Sequence, residues 1–340
     1  MARFLLPERP RFVGLVMRDA SGGGNPLALP DVDAIRAAHA RIAPHVHRTP
    51  VLTCAAIDGE VNAKLYFKCE NFQRVGAFKA RGACNAVFSL LENEARRGVV
   101  THSSGNHGAA LAYAAGRRGI PAFVVMPENA SKVKQENVRR FGATIRFCAP
   151  NVSAREAVCD DVQRETGAAL IHPFDDERVI AGQGTATLEL LEQAPMIDIV
   201  VAPCGGGGLL SGTAIAATSA IPGIRVFGAE PANAGDADAS FRSGQIEPLP
   251  PTMTMADGLR TSLAPRTFTA IRAHVAAFGV CSEEAIVRAM RMMLERLKIV
   301  VEPSAAVPLA CLLERTLDVG GARVGVIVSG GNVDFDHLPW

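Results

Sequence analysis

The sequence predicts an α/β fold in which parallel strands are covered by helices, and three features carry that expectation. From Asp31 onward, short β-branched runs alternate with alanine-rich segments whose apolar residues recur at helical spacing. The chain has 340 residues, 48% of them hydrophobic, enough to bury a large core in one or two domains. No internal repeat or low-complexity tract interrupts the alternation.

The expected strands, in chain order, are Lys64 to Cys69, Gly98 to Thr101, Ala122 to Met126, Thr144 to Phe147, Ile197 to Ala202, Arg225 to Ala229 and Val324 to Val328. Helices fall between them. Their starts are signalled at Ser104, near Ser131, and at Ser282, which caps an apolar-periodic run from Ala285 to Leu297. The block 98–173 is self-contained enough to form a smaller mobile domain, inserted in a larger one built from 31–97 and 174–340. Residues 1–30, with Arg3, Arg9, Arg11 and the run Ser21 to Gly24, lack a continuous apolar stretch and a cleavage site, and read as a loose N-terminal arm.

Composition narrows the function classes. A net charge of +1 provides no field to hold nucleic acid or an anionic membrane. The longest apolar stretches fall far short of the roughly 20 residues that span a bilayer. Eight cysteines without a C-x-x-C pair, several within apolar runs, imply reduced, buried thiols and a cytoplasmic protein. A small-molecule substrate fits best.

Four segments carry chemistry. In Glu70 to Ala83, Lys79 stands between Phe78 and small residues. Such partly dry surroundings disfavour the ammonium form and leave an amine able to attack an aldehyde. A lysine on a first helical turn with its head in water would read the same way. Thr101 to Ala110 joins a strand end to a serine-rich helix start, whose free N–H groups and Ser103 and Ser104 hydroxyls suit a carboxylate. These serines, with Asn106 and His107, would also serve as an ordinary first turn.

In the third segment, Gly205 to Gly208 follow an apolar strand and precede an alanine-rich helix, so the backbone can wrap a phosphate. Either register of the dinucleotide pattern G-x-G-x-x-G fails, at Leu210 or Ser211. Glu230, ending the next strand, could imitate a ribose-binding acid, which keeps a nicotinamide oxidoreductase as the alternative from another class. The fourth segment, Ser329-Gly330-Gly331, ends a buried strand with a hydroxyl and allows a ligand ring to approach, or is simply a tight turn.

In this order, the four segments make the chain similar to the serine/threonine dehydratase and serine racemase family of fold-type-II pyridoxal-phosphate enzymes, from about Asp31 to Asp334. His172 to Asp176 and Ala181 to Thr185 also read like this group. The resemblance implies a two-domain fold like that of the tryptophan synthase β subunit, a homodimer, and pyridoxal 5'-phosphate held as an imine on Lys79 beside Phe78. It implies Asn106 at the cofactor's 3'-oxygen, Gly205, Gly206, Gly207, Gly208 and Leu209 at its phosphate, and Ser329 at its pyridine nitrogen. A neutral hydroxyl there makes the ring a mild electron sink, which favours loss of a β-substituent over transamination.

The implied reaction is dehydration and deamination of a β-hydroxy amino acid such as serine or threonine, with Lys79 as general base. Ser103, Asn106 and His107 then face the substrate, and Ser104 lies across the cofactor from Lys79, where it could exchange the Cα proton. Serine racemisation and threo-3-hydroxyaspartate dehydration would use the same residues. Arg155 matches an arginine tied to closure on substrate. Glu230, the Ala234 carbonyl and Asp236 match a magnesium site of the racemase-like members. Two departures stand out: Ala77 replaces a frequent serine, as in relatives acting on hydroxyaspartate, and Phe174 replaces the racemase asparagine. A β-replacement synthase fits the His-Pro-Phe-Asp-Asp segment less well. Because the chain ends soon after Asn332, the resemblance implies an enzyme without the regulatory extension of biosynthetic threonine dehydratases.

Overall fold

The computed structural model describes residues 27–340 except Ser104, Ser131 and Pro195. Among these residues, ten strands form two sheets: β1 (Val51–Leu52), β2 (Lys64–Cys69), β3 (Val99–His102), β4 (Ala122–Pro127), β5 (Thr144–Cys148), β6 (Ala169–Leu170), β7 (Ile199–Pro203), β8 (Arg225–Pro231), β9 (Ala277–Cys281) and β10 (Arg323–Val328). The larger sheet has the order β1-β2-β10-β7-β8-β9 and the smaller one β5-β4-β3-β6. Every pairing is parallel except β1 with β2. The chain is α/β, with parallel sheets flanked by helices.

A parallel sheet covered on both faces needs strands that are apolar on both sides. In β7 every residue is buried, and in β10 every residue but Arg323. The two-residue strand period divides these side chains between two cores. Val201, Val326 and Val328 pack with Ala306, Leu309 and Ala310 of the helix Pro303–Leu313. Val200, Ala202 and Ile327 pack oppositely, with Leu190, Leu210 and Ala214 from the helices Glu177–Gln193 and Gly208–Ala220. The smaller sheet repeats the design: Val99, Val124 and Met126 meet Leu111 and Ala114 of the helix Asn106–Arg118. Val100 and Val125 meet Cys159 and Val162 of the helix Val152–Thr166. This sheet is drawn wholly from residues 99–170.

All seven expected strands form, with ends shifted by a residue or two, and β1, β6 and β9 were not foreseen. Strands as short as β1 and β6 carry no readable period. Ser282 does cap its helix, accepting the Ala285 N–H at 3.1 Å, but the α-helix ends at Met292 and Met293–Leu297 continues as a wider π turn. The helix expected from Ser104 starts at Asn106 with Gly105 in the cap position, and Ser104 lies outside the described residues. Ser131 also lies outside them, directly before the helix Lys132–Arg139. Of the N-terminal arm expected over residues 1–30, residues 1–26 are outside as well. All eight cysteines are free thiols, and all but Cys54 are buried. No helix among the described residues is long and apolar enough to cross a membrane.

Candidate active site

The carboxyl end of β10 meets the turn that presents Lys79. Gly76 begins that turn at φ +72°, and a Cβ there would meet Asn332 Oδ1 at 2.5 Å, so only glycine fits. Ala77 then bridges Gly330, and the Phe78 N–H donates to the Ser329 carbonyl at 2.9 Å, stitching the turn to the end of β10. Lys79 opens the helix Lys79–Phe88, half-buried, with Nζ donating to the Pro173 carbonyl at 2.7 Å and lying 5.2 Å from the centre of the Phe78 ring. Burial pulls its pKa down to about 8, and the Glu302 carboxylate opposes that shift.

Asn106 faces the same space. Its Nδ2 donates to both Glu302 carboxylate oxygens at 3.0 Å, and its Oδ1 accepts from Asn332 Nδ2 at 2.9 Å. Glu302 is buried beside Gly330, where an added Cβ would meet Oε1 at 2.6 Å. Sequence reasoning missed Glu302. Its one signal, an acid directly before Pro303 at a helix start, reads only as a helix boundary.

Behind the lysine, Gly205 to Gly208 link β7 to the helix Gly208–Ala220. Gly207 has φ +86°, and a Cβ on Gly206 would lie 2.5 Å from the Phe174 ring. The loop brings no side chain of its own to an approaching anion, the Phe174 ring packs against Gly206, and the helix N-terminus adds its positive end. Leu209 is buried on the first turn, and Ser329 is buried at the end of β10.

A model of the family described as pyridoxal-phosphate dependent enzymes matches residues 42–330. The chain belongs to this family. β-Hydroxyaspartate dehydratase of Paracoccus denitrificans is 49% identical, over 92% of this chain and 100% of its own. The structure of maize serine racemase superposes with a TM-score of 0.89 at 50% identity, covering 91% of this chain and 95% of that one. The crystal structure of a T.th. threonine deaminase superposes with a TM-score of 0.85 at 44% identity, covering 90% and 99%. Membership of a pyridoxal-phosphate family leaves the nicotinamide reading of the glycine loop and Glu230 without support.

The residues present fit such a cofactor: an amine of lowered pKa for its aldehyde, a side-chain-free loop for its phosphate, and a buried hydroxyl at a strand end for its ring. Around them burial shifts the histidines toward the neutral form. His107 is buried and points Nε2 at the Ile171 carbonyl, 3.2 Å away, which leaves the unprotonated Nδ1 without a partner. It is therefore not among the exposed groups of the cleft. His172 accepts the Asp175 N–H at 2.9 Å and packs edge-on against His102 and Phe174. Burial lowers the pKa of all three imidazoles, His172 to about 4. Ser103 Oγ accepts the Gly105 N–H at 3.2 Å. Arg155 is half-buried near His102, with an Nε that has no hydrogen-bond partner.

Further along the larger sheet, Glu230 stands one residue before the end of β8 and accepts the N–H groups of Ala237 and Asp238 at 3.2 and 2.8 Å. Asp236 is buried beside it, and neither carboxylate oxygen makes a well-formed hydrogen bond, its own N–H and that of Leu263 being the main-chain groups nearest in effect. Burial first, then repulsion from Asp236, pushes the Glu230 carboxyl well up, and burial lifts Asp236 to about 6. Ala234 closes the turn between them. No cluster of three or more His, Cys, Asp or Glu side chains suited to a metal occurs among the described residues. This set offers two carboxylates and one main-chain carbonyl.

Proposed function

We propose that the enzyme removes water and then ammonia from a β-hydroxy amino acid of the serine or threonine type, leaving a 2-oxo acid. The observation that carries this reading is Ser329, a buried hydroxyl where a carboxylate would make the cofactor ring a stronger electron sink, joined through its own carbonyl to the residue before Lys79. Pyridoxal phosphate, when bound, supplies a sink for the charge left at Cα. Lys79 holds the cofactor and then takes the Cα proton, a role that a pKa near neutrality suits. Gly205 to Gly208 and Leu209 bind the phosphate, Asn106 orients the ring, and Ser103 with the adjacent helix start receives the substrate carboxylate. The separate sheet of residues 99–170 supports a small domain over 98–173 that brings Ser103, Asn106 and Arg155 onto the substrate.

Racemisation is the second reading, favoured by the likeness to maize serine racemase, with Ser104 exchanging the proton on the face opposite Lys79. The likeness to a β-hydroxyaspartate dehydratase keeps 3-hydroxyaspartate among the candidate substrates. We also propose a divalent cation, magnesium by its preference for hard oxygen donors, at Glu230, the Ala234 carbonyl and Asp236. The two oxygens of buried Asp236, neither in a well-formed hydrogen bond, support it.

The test is release of 2-oxo acid and ammonia by cofactor-loaded protein from L- and D-serine, L-threonine, and threo- and erythro-3-hydroxyaspartate, with chiral analysis of what remains. Release from serine or threonine supports the leading reading, and release from 3-hydroxyaspartate alone moves the substrate to that acid. Inversion without release makes the enzyme a racemase. No turnover of any of them overturns the proposal.

A further inference from the structure

Beneath the lysine lies a set of charges that the proposed reaction does not use. Lys68, Glu70, Arg81 and Glu189 are all buried and pair two cations with two anions, and the half-buried His39 reaches the Glu189 edge of the cluster at 3.5 Å. Arg81 Nε and Nη2 grip Glu70 at 2.7 and 2.8 Å, and Nη1 and Nη2 grip Glu189 at 2.8 Å each. Thr185 Oγ1 at 3.2 Å takes the remaining Nη1 donor, and the His47 carbonyl at 3.3 Å shares an Nη2 hydrogen. Lys68 Nζ is equally satisfied, by Glu189, Gln193 and the Thr49 carbonyl at 2.6 to 2.8 Å.

Two facts argue that this cluster sets geometry. Buried ion pairs stabilise a fold little better than apolar residues of the same shape, because desolvation offsets their attraction. And the helix that Lys79 opens has no side-chain cap: its start is held by the Phe78 N–H to the Ser329 carbonyl and by the Gly82 N–H to Gln183 Oε1 at 3.2 Å, and Arg81 adds the one charged clamp on its first turn. At about 100° per residue, Lys79 and Arg81 point to nearly opposite sides of that helix. The lysine faces the cleft while the arginine reaches inward. Glu189 belongs to the helix Glu177–Gln193, which Asp176 caps just after the carbonyl of Pro173 that receives Lys79 Nζ.

We propose that Arg81 is a positioning residue for Lys79: clamped between Glu70 and Glu189, it fixes both the start of the lysine helix and the helix that follows the Pro173 carbonyl. Arg81→Lys keeps the charge and loses the fork, which makes it the informative change. The inference rests on Lys79 as the cofactor's lysine only for its effect on turnover, so the first readout needs no cofactor.

In cofactor-free protein, the pH dependence of Lys79 modification by a small amine-reactive reagent, followed by peptide mass spectrometry, reads its pKa directly. The wild-type midpoint is expected near about 8. In Arg81→Lys, an unanchored Lys79 reaches water and the midpoint rises toward the ordinary value of about 10.4. In loaded enzyme, kcat falls about 30-fold or more while KM changes less than about threefold, as loss of alignment predicts. Glu189→Gln, which keeps the side-chain shape and drops one anion, moves both readouts in the same directions and stands in if Arg81→Lys fails to fold. A lower melting temperature with unchanged midpoint and kcat would overturn the proposal and leave the cluster purely structural. A shifted midpoint in a protein that never attaches pyridoxal phosphate to Lys79 would uphold the anchor and sink the reading of the site.

Discussion

Lys79 is held near neutrality by opposed influences: burial favours the free amine, and the Glu302 carboxylate favours the ammonium. The pKa of a lysine lowered to about 8 puts the reactive amine above that pH and the ammonium below it. Covalent capture of pyridoxal phosphate by cofactor-free protein should therefore rise about tenfold per pH unit below 8 and level off above it. Stopped-flow absorbance measures this, and a plateau reached only near pH 10 would contradict it. Replacing Glu302 with glutamine removes the opposing charge, so the plateau should begin at lower pH and capture at pH 7 should speed up severalfold. The lysine-bearing turn and the glycine loop after β7 were legible as local features because their signals are contiguous in the chain. Glu302 was not, because its tie to Asn106 joins positions far apart in sequence. His107 was read as facing substrate, whereas its side of the helix packs toward Ile171, a detail set by tertiary packing.

At the scale of elements, the glycine loop is shaped as much by what lies behind it as by its ligand. Gly206→Ala would drive a methyl into the Phe174 ring, an overpacking cost of about 1–3 kcal/mol. The loop would shift, and visible absorbance should be lost faster on dialysis than in wild type. Unchanged retention would mean that this loop does not carry the phosphate. Strands β2, β7, β8 and β10 could be read from sequence because long apolar runs bounded by turn residues have few other uses. The edge strand β1 could not. It exists through its pairing with β2, Val51 opposite Lys68 and Leu52 opposite Phe67, and two residues carry no pattern of their own. The π turn at Met293–Leu297 was equally hidden, since its apolar spacing matches that of the α-helix it extends.

Across the whole molecule, the cation proposed at the paired carboxylates near the end of β8 would make stability depend on that ion. Magnesium at about a hundred times its dissociation constant should add about 2.7 kcal/mol, which for a chain of this length raises the melting temperature by about 4 °C. Asp236→Asn should abolish that response. A wild-type protein whose melting point ignores divalent ions would remove the proposed site. The α/β class and the separateness of the 99–170 sheet were accessible from the order of strand and helix signals. The order of strands within each sheet was not, because pairing depends on contacts that no local pattern encodes.

That strand order has a consequence for synthesis. In the larger sheet, β10 lies between β2 and β7, although it is the last strand of the chain. The smaller sheet, by contrast, is complete once residue 170 has left the ribosome. Until Arg323–Val328 emerges, a nascent chain holds two facing, unpaired apolar edges, the kind of surface that templates aggregation. A ribosome-stalled chain ending before Arg323 should therefore bind holdase chaperones strongly, and one extended past Val328, beyond the exit tunnel, should release them.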